Sequence, residues 1–207
     1  MRALVVKICG VTRAADAEAA AAAGADWIGL NFWSRSRRRV TVEQAQEVAR
    51  AIPREILRVG VFVNAPLAVV RATALAVGLD LIQLHGDEDA RYMAALGLPT
   101  LRALRVAGRE SLRTLDELVG DTILLDAPSA SYGGSGEVFD WALAREVAAR
   151  GKRVILAGGL TAENVAQAIR EARPHGVDVA TGVESAPGVK DAELMRRFVH
   201  AARGQGA

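Results

Sequence analysis

The stretch Val5-Val6-Lys7-Ile8-Cys9-Gly10 decides the fold, because it has the pattern of a short buried strand that ends in a thiol and a glycine. Side chains two positions apart on a strand share a face. We therefore expect Val6 and Ile8 to pack against helices, while Lys7 and Cys9 face the other side of the sheet. A strand that ends at a reactive side chain is typical of an α/β barrel, which delivers catalytic groups to one mouth in this way.

Cys9 is the only cysteine of the chain, and its surroundings allow two interpretations. A thiol acts as a base or nucleophile in its thiolate form, which a nearby cation favours. On that ground Lys7 is a candidate activator of Cys9. The alternative is that Cys9 is a small apolar filler, as most buried free cysteines are. The stretch alone leaves both interpretations open.

Outward from this stretch, short apolar runs alternate with helical patterns along the chain. The predicted strands are 4–9, 26–32, 57–63, 79–84, 100–105, 122–126, 153–157 and 177–181. The predicted helices are 14–23, 41–51, 66–76, 88–95, 110–118, 140–149, 161–172 and 190–202. Eight such pairs require a parallel sheet with right-handed crossovers, and eight strands close into a barrel. We predict that residues 1–207 form one domain, a (βα)8 TIM barrel.

Two further observations bear on this prediction. An open doubly wound sheet is the competing architecture, but no Gly-x-Gly-x-x-Gly follows the first strand. Helix boundaries also carry the expected residues. The predicted N-caps are Thr41, Asp140 and Thr161. Left-handed residues that end helices are predicted at glycines 24, 78, 97 and 151.

Composition excludes several classes of function. The net charge of +2 is too small to imply a nucleic acid or an anionic membrane as a partner. A single cysteine forms no intramolecular disulfide, and no Cys or His cluster has metal-ligand spacing, so we expect no metal site. No secretory signal or uninterrupted apolar run of about 18 residues is present. These observations favour a cytoplasmic protein.

In a barrel, the residues that follow the strands converge on one mouth, where the chemistry is expected. These strand ends carry Cys9, Asn31, Asn64, His85, Arg105, Asp126, Gly158 with Gly159, and Thr181 with Gly182.

Asp126 ends an apolar strand, Thr122-Ile123-Leu124-Leu125-Asp126. A carboxyl group that such neighbours desolvate can hold a proton near neutral pH and act as a general acid. The alternative is a carboxylate that caps a loop or pairs with arginine.

Asp178, on strand 8, is predicted to face inward and to pair with Lys7, because barrel closure places strand 8 beside strand 1.

Glycine-rich loops follow the last strands. Gly158-Gly159 and Gly182-Val183 would expose backbone amides in the two loops where barrels often bind phosphate, although glycine also serves tight turns. The stretch Tyr132-Gly133-Gly134-Ser135-Gly136 is either a segment that closes over a ligand or a simple connection.

Two basic features remain open from the residues alone. Four arginines in the stretch 35–39 would bind a carboxylate or phosphate through bidentate contacts, or form a solvated loop. His85 either faces the mouth or is satisfied by Asp87.

Several motifs together resemble the phosphoribosylanthranilate isomerase family, and they run along nearly the whole chain in a specific order. They are Val6-Lys7-Ile8-Cys9-Gly10-Val11-Thr12, Gly24-Ala25-Asp26, Val59-Gly60-Val61-Phe62-Val63-Asn64, Gln83-Leu84-His85-Gly86-Asp87-Glu88, Gly133-Gly134-Ser135-Gly136 with Phe139-Asp140-Trp141, Leu156-Ala157-Gly158-Gly159-Leu160, and Gly182-Val183-Glu184 through Pro187-Gly188-Val189-Lys190-Asp191.

The resemblance implies an Amadori rearrangement of N-(5'-phosphoribosyl)anthranilate, a step of tryptophan biosynthesis, on a small phosphoribosyl substrate and without a cofactor. It implies that Cys9 is the general base and Asp126 the general acid. Arg38 would hold the anthranilate carboxylate. The implied phosphate ligands are Gly158, Gly159, Gly182 and Val183. His85 and Asp178 match positions near the ligand. The protein is expected to be a monomer or homodimer.

The chain departs from the family pattern at three places. Arg37 stands where proline is frequent, Ala180-Thr181 replaces a pair of serines, and Ser135 replaces threonine. One rival is the isomerase of histidine biosynthesis, which performs the same rearrangement but resembles a two-aspartate catalyst, with aspartate in place of Cys9. Another is a non-catalytic phosphate-ligand-binding barrel, against which the presence of both Cys9 and Asp126 speaks.

Overall fold

The computed structural model describes residues 4–117, 120–127 and 140–204, and its central feature is a closed parallel barrel. The strands are β1 Val5–Cys9, β2 Trp27–Asn31, β3 Leu57–Phe62, β4 Leu81–Leu84, β5 Thr100–Arg105, β6 Thr122–Asp126, β7 Arg153–Leu156 and β8 Gly176–Val179. Each strand pairs with the next, and β1 pairs with β8 to close the sheet. The predicted TIM barrel is confirmed.

Helices cover the outside of the barrel. They are α1 Ala14–Ala23, α2 Val42–Arg50, α3 Leu67–Val77, α4 Ala90–Leu96, α5 Ala142–Ala149, α6 Val165–Ala172 and α7 Ala192–Arg203. No helix within the described ranges is both long enough and apolar enough to cross a membrane.

The α-helix predicted at 110–118 is wrong, because the segment Arg109–Glu117 forms a 3-10 helix instead. Side chains three residues apart eclipse one another in a 3-10 helix. Leu112 and Leu115 have this spacing, and both are buried. The apolar period of three therefore suits the tighter helix better than an α-helix.

Helix boundaries confirm some of the predicted caps. Thr41 forms a capping box with Gln44 at the start of α2. Asp140 lies one residue before the N-cap of α5, and its carboxylate accepts from the amide of Ala142 at 2.9 Å. Thr161 is not a cap: its hydroxyl accepts from the Glu163 amide within a turn, and α6 begins after Asn164. The predicted left-handed backbone is present at glycines 24, 78, 97 and 151.

The connection between β8 and α7 contains structure that the sequence pattern does not predict. A short 3-10 turn, Thr181–Val183, leads into a two-stranded hairpin of β9 Glu184–Ala186 and β10 Val189–Lys190. The helix predicted from 190 begins at Ala192, with Asp191 as its N-cap.

The core has two layers, as the alternation in β1 predicts. Val6 and Ile8 are fully buried in the layer between sheet and helices. The inner layer fills the barrel with Leu101, Ala103, Leu124, Ile155 and Ala157, and Val5 packs against it. Lys7 is also fully buried. This apolar filling supports the polar side chains at the mouth.

Candidate active site

A cavity of about 830 Å³ opens at the carboxyl ends of the strands. Eight of the nine predicted site residues line it, namely Cys9, Arg38, His85, Asp126, Gly158, Gly159, Asp178 and Gly182. The exception is Val183, which is fully buried, so its side chain contributes no wall. Of the other strand-end residues, Asn31 and Thr181 line the cavity, while Asn64 and Arg105 do not.

Lys7 and Asp178 form the predicted buried ion pair across the closure of the barrel. The two residues are register partners on β1 and β8, and Lys7 Nζ donates to Asp178 Oδ1 at 2.9 Å. Gly29 on β2 leaves room beside them, because a Cβ there would lie 2.8 Å from Cys9 Sγ and 3.2 Å from Lys7 Nζ. Asp178 and Cys9 together raise the pKa of Lys7 despite its burial. Lys7 is therefore a fixed cation beside the thiol.

The pKa of Cys9 is higher than that of an ordinary thiol, because burial disfavours the thiolate. Lys7 acts in the predicted direction and lowers this pKa, as Lys190 does, while Asp178 raises it. The charge of Lys7 therefore favours the thiolate, as predicted, but burial raises the pKa of Cys9 by more than Lys7 lowers it. At neutral pH Cys9 is therefore mainly a thiol.

Asp126 has the environment expected of a general acid. Its side chain ends β6 and is 8% exposed. Burial and the charge of Asp178 raise its pKa to about 6, against opposing contributions from the Ala127 amide, Arg105 and Lys7. A carboxyl with this pKa carries a proton in a substantial fraction of molecules near neutral pH.

His85 is a neutral imidazole at the cavity wall. Burial and the nearby charges of Lys7, Arg105 and Arg102 lower its pKa to about 3. One ring nitrogen contacts the side-chain amide of Gln83, which also lines the cavity. A neutral ring has one donor and one acceptor nitrogen.

The alternative prediction, that Asp87 is the hydrogen-bond partner of His85, is wrong. Asp87 instead accepts from the side-chain amide of Asn64 at 3.1 Å and donates its backbone amide to the same side chain at 2.6 Å.

Arg35, Arg37 and Arg38 of the arginine loop all line the cavity. Arg35 and Arg37 are exposed, whereas Arg38 is half-buried and held in a fixed orientation. Arg38 Nε and Nη2 donate to the two carboxylate oxygens of Glu184, each at 2.7 Å. Its Nη2 also donates to Thr181 Oγ1 at 3.1 Å. The side chain lies over Gly10, where a Cβ would come within 2.3 Å of Arg38 Cδ.

Sequence reasoning gave no role to Glu184 and Lys190, although both belong to motifs that it quoted. Lys190 Nζ donates to Glu184 Oε1 at 2.9 Å, so the carboxylate joins Lys190 to Arg38. Alternation did not reveal the pair because the residues lie on β9 and β10, two strands too short for a period to be visible.

The glycine loops after β7 and β8 pack at backbone contact. A Cβ at Gly158 would lie 2.4 Å from the Ala127 amide nitrogen, and one at Gly182 would lie 2.1 Å from the Leu160 carbonyl oxygen. Asn164 donates to the Gly159 carbonyl at 2.9 Å and fixes the first loop. The predicted closing segment 132–136 lies outside the described residues. In the described part of the chain, no group of three or more His, Cys, Asp or Glu side chains is arranged to hold a metal ion.

Comparison with known proteins supports the geometry. A family model described as N-(5'phosphoribosyl)anthranilate (PRA) isomerase matches residues 6–201. The N-(5'-phosphoribosyl)anthranilate isomerase of Pelobacter propionicus is 48% identical over 199 residues, covering 96% of this chain and 95% of its own. The crystal structure of the Thermotoga maritima phosphoribosyl anthranilate isomerase has a TM-score of 0.91 at 37% identity and covers 97% of this chain and 99% of its own.

A further crystal structure links this likeness to a ligand. It is a phosphoribosyl anthranilate isomerase in complex with reduced 1-(o-carboxyphenylamino)-1-deoxyribulose 5-phosphate, with a TM-score of 0.87 at 34% identity over 97% of this chain and 99% of its own. The family model matches residues 6–201, a range that extends from β1 to α7. The chain belongs to the N-(5'-phosphoribosyl)anthranilate isomerase family.

Proposed function

We propose that the cavity converts N-(5'-phosphoribosyl)anthranilate into 1-(2-carboxyphenylamino)-1-deoxyribulose 5-phosphate, with Cys9 as general base and Asp126 as general acid. The observation that carries this assignment is one cavity that holds both a thiol beside a fixed cation and a carboxyl with a pKa of about 6. The two groups come from β1 and β6, so they flank a ligand from different sides.

The rearrangement needs one proton donor and one proton acceptor. Asp126 protonates the furanose ring oxygen, and the bond from C1' to that oxygen breaks while the lone pair of the anthranilate nitrogen forms an imine. Cys9, in the thiolate form that the charges of Lys7 and Lys190 favour, removes the proton from C2' and becomes a thiol. The electron pair of the C–H bond forms the C1'–C2' double bond of the enolamine. Protonation of the enolamine at C1', with loss of the proton from the C2' hydroxyl, then gives the ketone. The substrate's own nitrogen delocalises the electrons, so we assign no cofactor.

The other cavity residues support binding in this proposal. Arg38 holds the anthranilate carboxylate, because a guanidinium matches a carboxylate in shape and charge. The phosphate lies against the backbone at Gly158, Gly159, Gly182 and Val183. His85 and Asp178 lie near the ribose, and Asp178 keeps Lys7 beside the thiol.

The substrate is a small molecule, and we propose that the protein acts on it as a monomer or homodimer. The T. maritima relative supports both forms, since one of its structures is described as monomers generated from a dimeric isomerase.

The first test is the loss of anthranilate fluorescence when freshly prepared substrate is mixed with the protein. Cys9→Ala and Asp126→Asn are each expected to lower kcat by about 10²-fold to 10⁴-fold, because each removes a proton-transfer group. KM changes little, since neither group supplies uniform binding. The exposed residue Asp121 provides a control, and Asp121→Asn keeps the wild-type rate. Near-normal turnover in either site variant would overturn the role assigned to that residue.

A further inference from the structure

Arg38 and Glu184 line the cavity apart from the acid and the base, and the buried Lys190 contacts Glu184. These three charged side chains form a cluster. The chain has 26 lysines and arginines but only three lysines, Lys7, Lys152 and Lys190. Two of these three, Lys7 and Lys190, have side chains with no exposed surface, and both contact a carboxylate at 2.9 Å. Lysine is thus used here mainly as a buried cation.

The contacts of Arg38 fix which of its donors remain for a ligand. The guanidinium has five N–H groups. Glu184 takes the Nε donor and one Nη2 donor, and Thr181 takes the other Nη2 donor. Within the described residues, Nη1 makes no hydrogen bond. Glu184 therefore fixes the plane of the Arg38 guanidinium so that the two N–H groups of Nη1 point away from Glu184.

The charge of the cluster depends on Lys190. A bidentate pair of Arg38 and Glu184 alone has no net charge and would attract an anion weakly. Burial opposes ionisation of Glu184, but hydrogen bonds from Arg38 and Lys190 hold its pKa below the ordinary value, so it is a carboxylate. Burial lowers the pKa of Lys190 against the opposing hydrogen bond and charge of Glu184, and its ammonium form restores one positive charge to the group.

The β9–β10 hairpin keeps these side chains in register. Lys190 pairs with Glu184 across the hairpin. The hairpin is tied to the segment that follows β1, because Thr12 Oγ1 donates to the Gly188 carbonyl at 2.6 Å and the Lys190 amide donates to Asp16 Oδ2 at 3.2 Å. The cluster is therefore held rigidly before any ligand binds.

We propose that Glu184 and Lys190 are positioning residues for recognition of the substrate carboxylate. Glu184 orients the Nη1 edge of Arg38, and Lys190 keeps the cluster cationic. The inference rests on the proposed function, which assigns the anthranilate carboxylate to Arg38.

The test compares two stable ligands by isothermal titration calorimetry. One is reduced 1-(o-carboxyphenylamino)-1-deoxyribulose 5-phosphate, and the other is its counterpart with an unsubstituted phenyl ring. The wild-type protein is expected to prefer the first by at least about tenfold. In Glu184→Gln and in Lys190→Gln the preference falls to less than about threefold, while affinity for the phenyl compound stays within about twofold. The control Glu193→Gln removes an exposed carboxylate on α7 and keeps the wild-type preference.

The outcomes separate the two proposals. Retained preference in both variants, or an equal loss for both ligands, would overturn the positioning role. If Glu184→Gln fails to fold because Arg38 and Lys190 are left unpaired, Lys190→Gln decides the matter, since it preserves the Arg38–Glu184 pair. A wild-type protein that shows neither the preference nor isomerase activity would refute the proposed function instead.

Discussion

Cys9 lies among charges that act on its proton in opposite directions. Burial and Asp178 raise the pKa of the thiol, whereas Lys7 and Lys190 lower it. Asp178 thus has two effects, because it also fixes the Lys7 cation whose charge favours the thiolate. In this balance burial outweighs the charges of the two lysines, so the pKa of Cys9 stays above that of an ordinary thiol.

Replacement of Asp178 by asparagine tests this balance at a single atom. Asp178→Asn removes a negative charge that disfavours the thiolate and leaves the Lys7 charge uncompensated, so the pKa of Cys9 is expected to fall. The rate of iodoacetamide alkylation as a function of pH measures this, and the signal comes from one group because the chain has one cysteine. The matched control is Asp121→Asn, at an exposed carboxylate. An unchanged or higher thiol pKa would contradict the prediction.

At the scale of elements, the site depends on close contact between loops rather than on side chains alone. The loop after β7 contacts the end of β6, where Gly158 lies against Ala127. The loop after β8 contacts the loop after β7, where Gly182 lies against Leu160. A Cβ atom at Gly158 or Gly182 would collide with the backbone of the neighbouring segment. Both positions therefore need glycine because there is no room for a side chain. The two loops therefore form one continuous backbone surface along the cavity.

Gly158→Ala is expected to raise KM by at least about tenfold, because its Cβ would collide with the backbone at Ala127, next to Asp126. Gly151→Ala is the control. Gly151 also has positive φ, at 82°, but nothing lies within 4 Å of an added Cβ. Alanine at this position costs only about 1 kcal/mol, because of the left-handed backbone. The Gly151→Ala variant is therefore expected to keep the wild-type kinetics and to lose a little stability. Steady-state kinetics and urea denaturation of both variants provide the measurement, and equal KM values would refute the argument.

For the whole molecule, the buried carboxyl of Asp126 carries a cost in stability. The pKa of Asp126 rises from 3.8 to about 6 on folding, so the folded state binds its proton more tightly than the unfolded state. The fold is therefore favoured at low pH and loses free energy as pH rises from about 4 to 6. Above that range the loss reaches about 3 kcal/mol.

Asp126→Asn removes this penalty, since an amide does not ionise. We expect the variant to exceed the wild type in free energy of unfolding by up to about 3 kcal/mol at pH 8, and by about 1 kcal/mol at pH 4.5. Urea denaturation at the two pH values gives the difference. Asp121→Asn, at an exposed carboxylate, serves again as the matched control. If the variant were instead less stable than the wild type at pH 8, the argument that folding raises the pKa of Asp126 would be contradicted.

Sequence patterns predicted the barrel because strand alternation and helix periodicity repeat eight times and the strand ends carry polar residues. The pairing of Lys7 with Asp178 followed from the same logic, since closure fixes which strands are neighbours. The 3-10 segment at Arg109–Glu117 was missed because its apolar spacing of three also fits an α-helix. The Glu184–Lys190 pair was missed because it depends on a hairpin with only two or three residues in each strand.

The burial of Lys7 and Lys190 leaves Lys152 as the lysine side chain that reaches solvent. Lys152 directly precedes β7, at the base of the barrel, whereas Gly158 at the other end of that strand belongs to the mouth. Coupling through lysine amines to an activated bead or sensor surface would therefore attach the molecule by its base. The catalytic mouth would then face the solution, where substrate can enter.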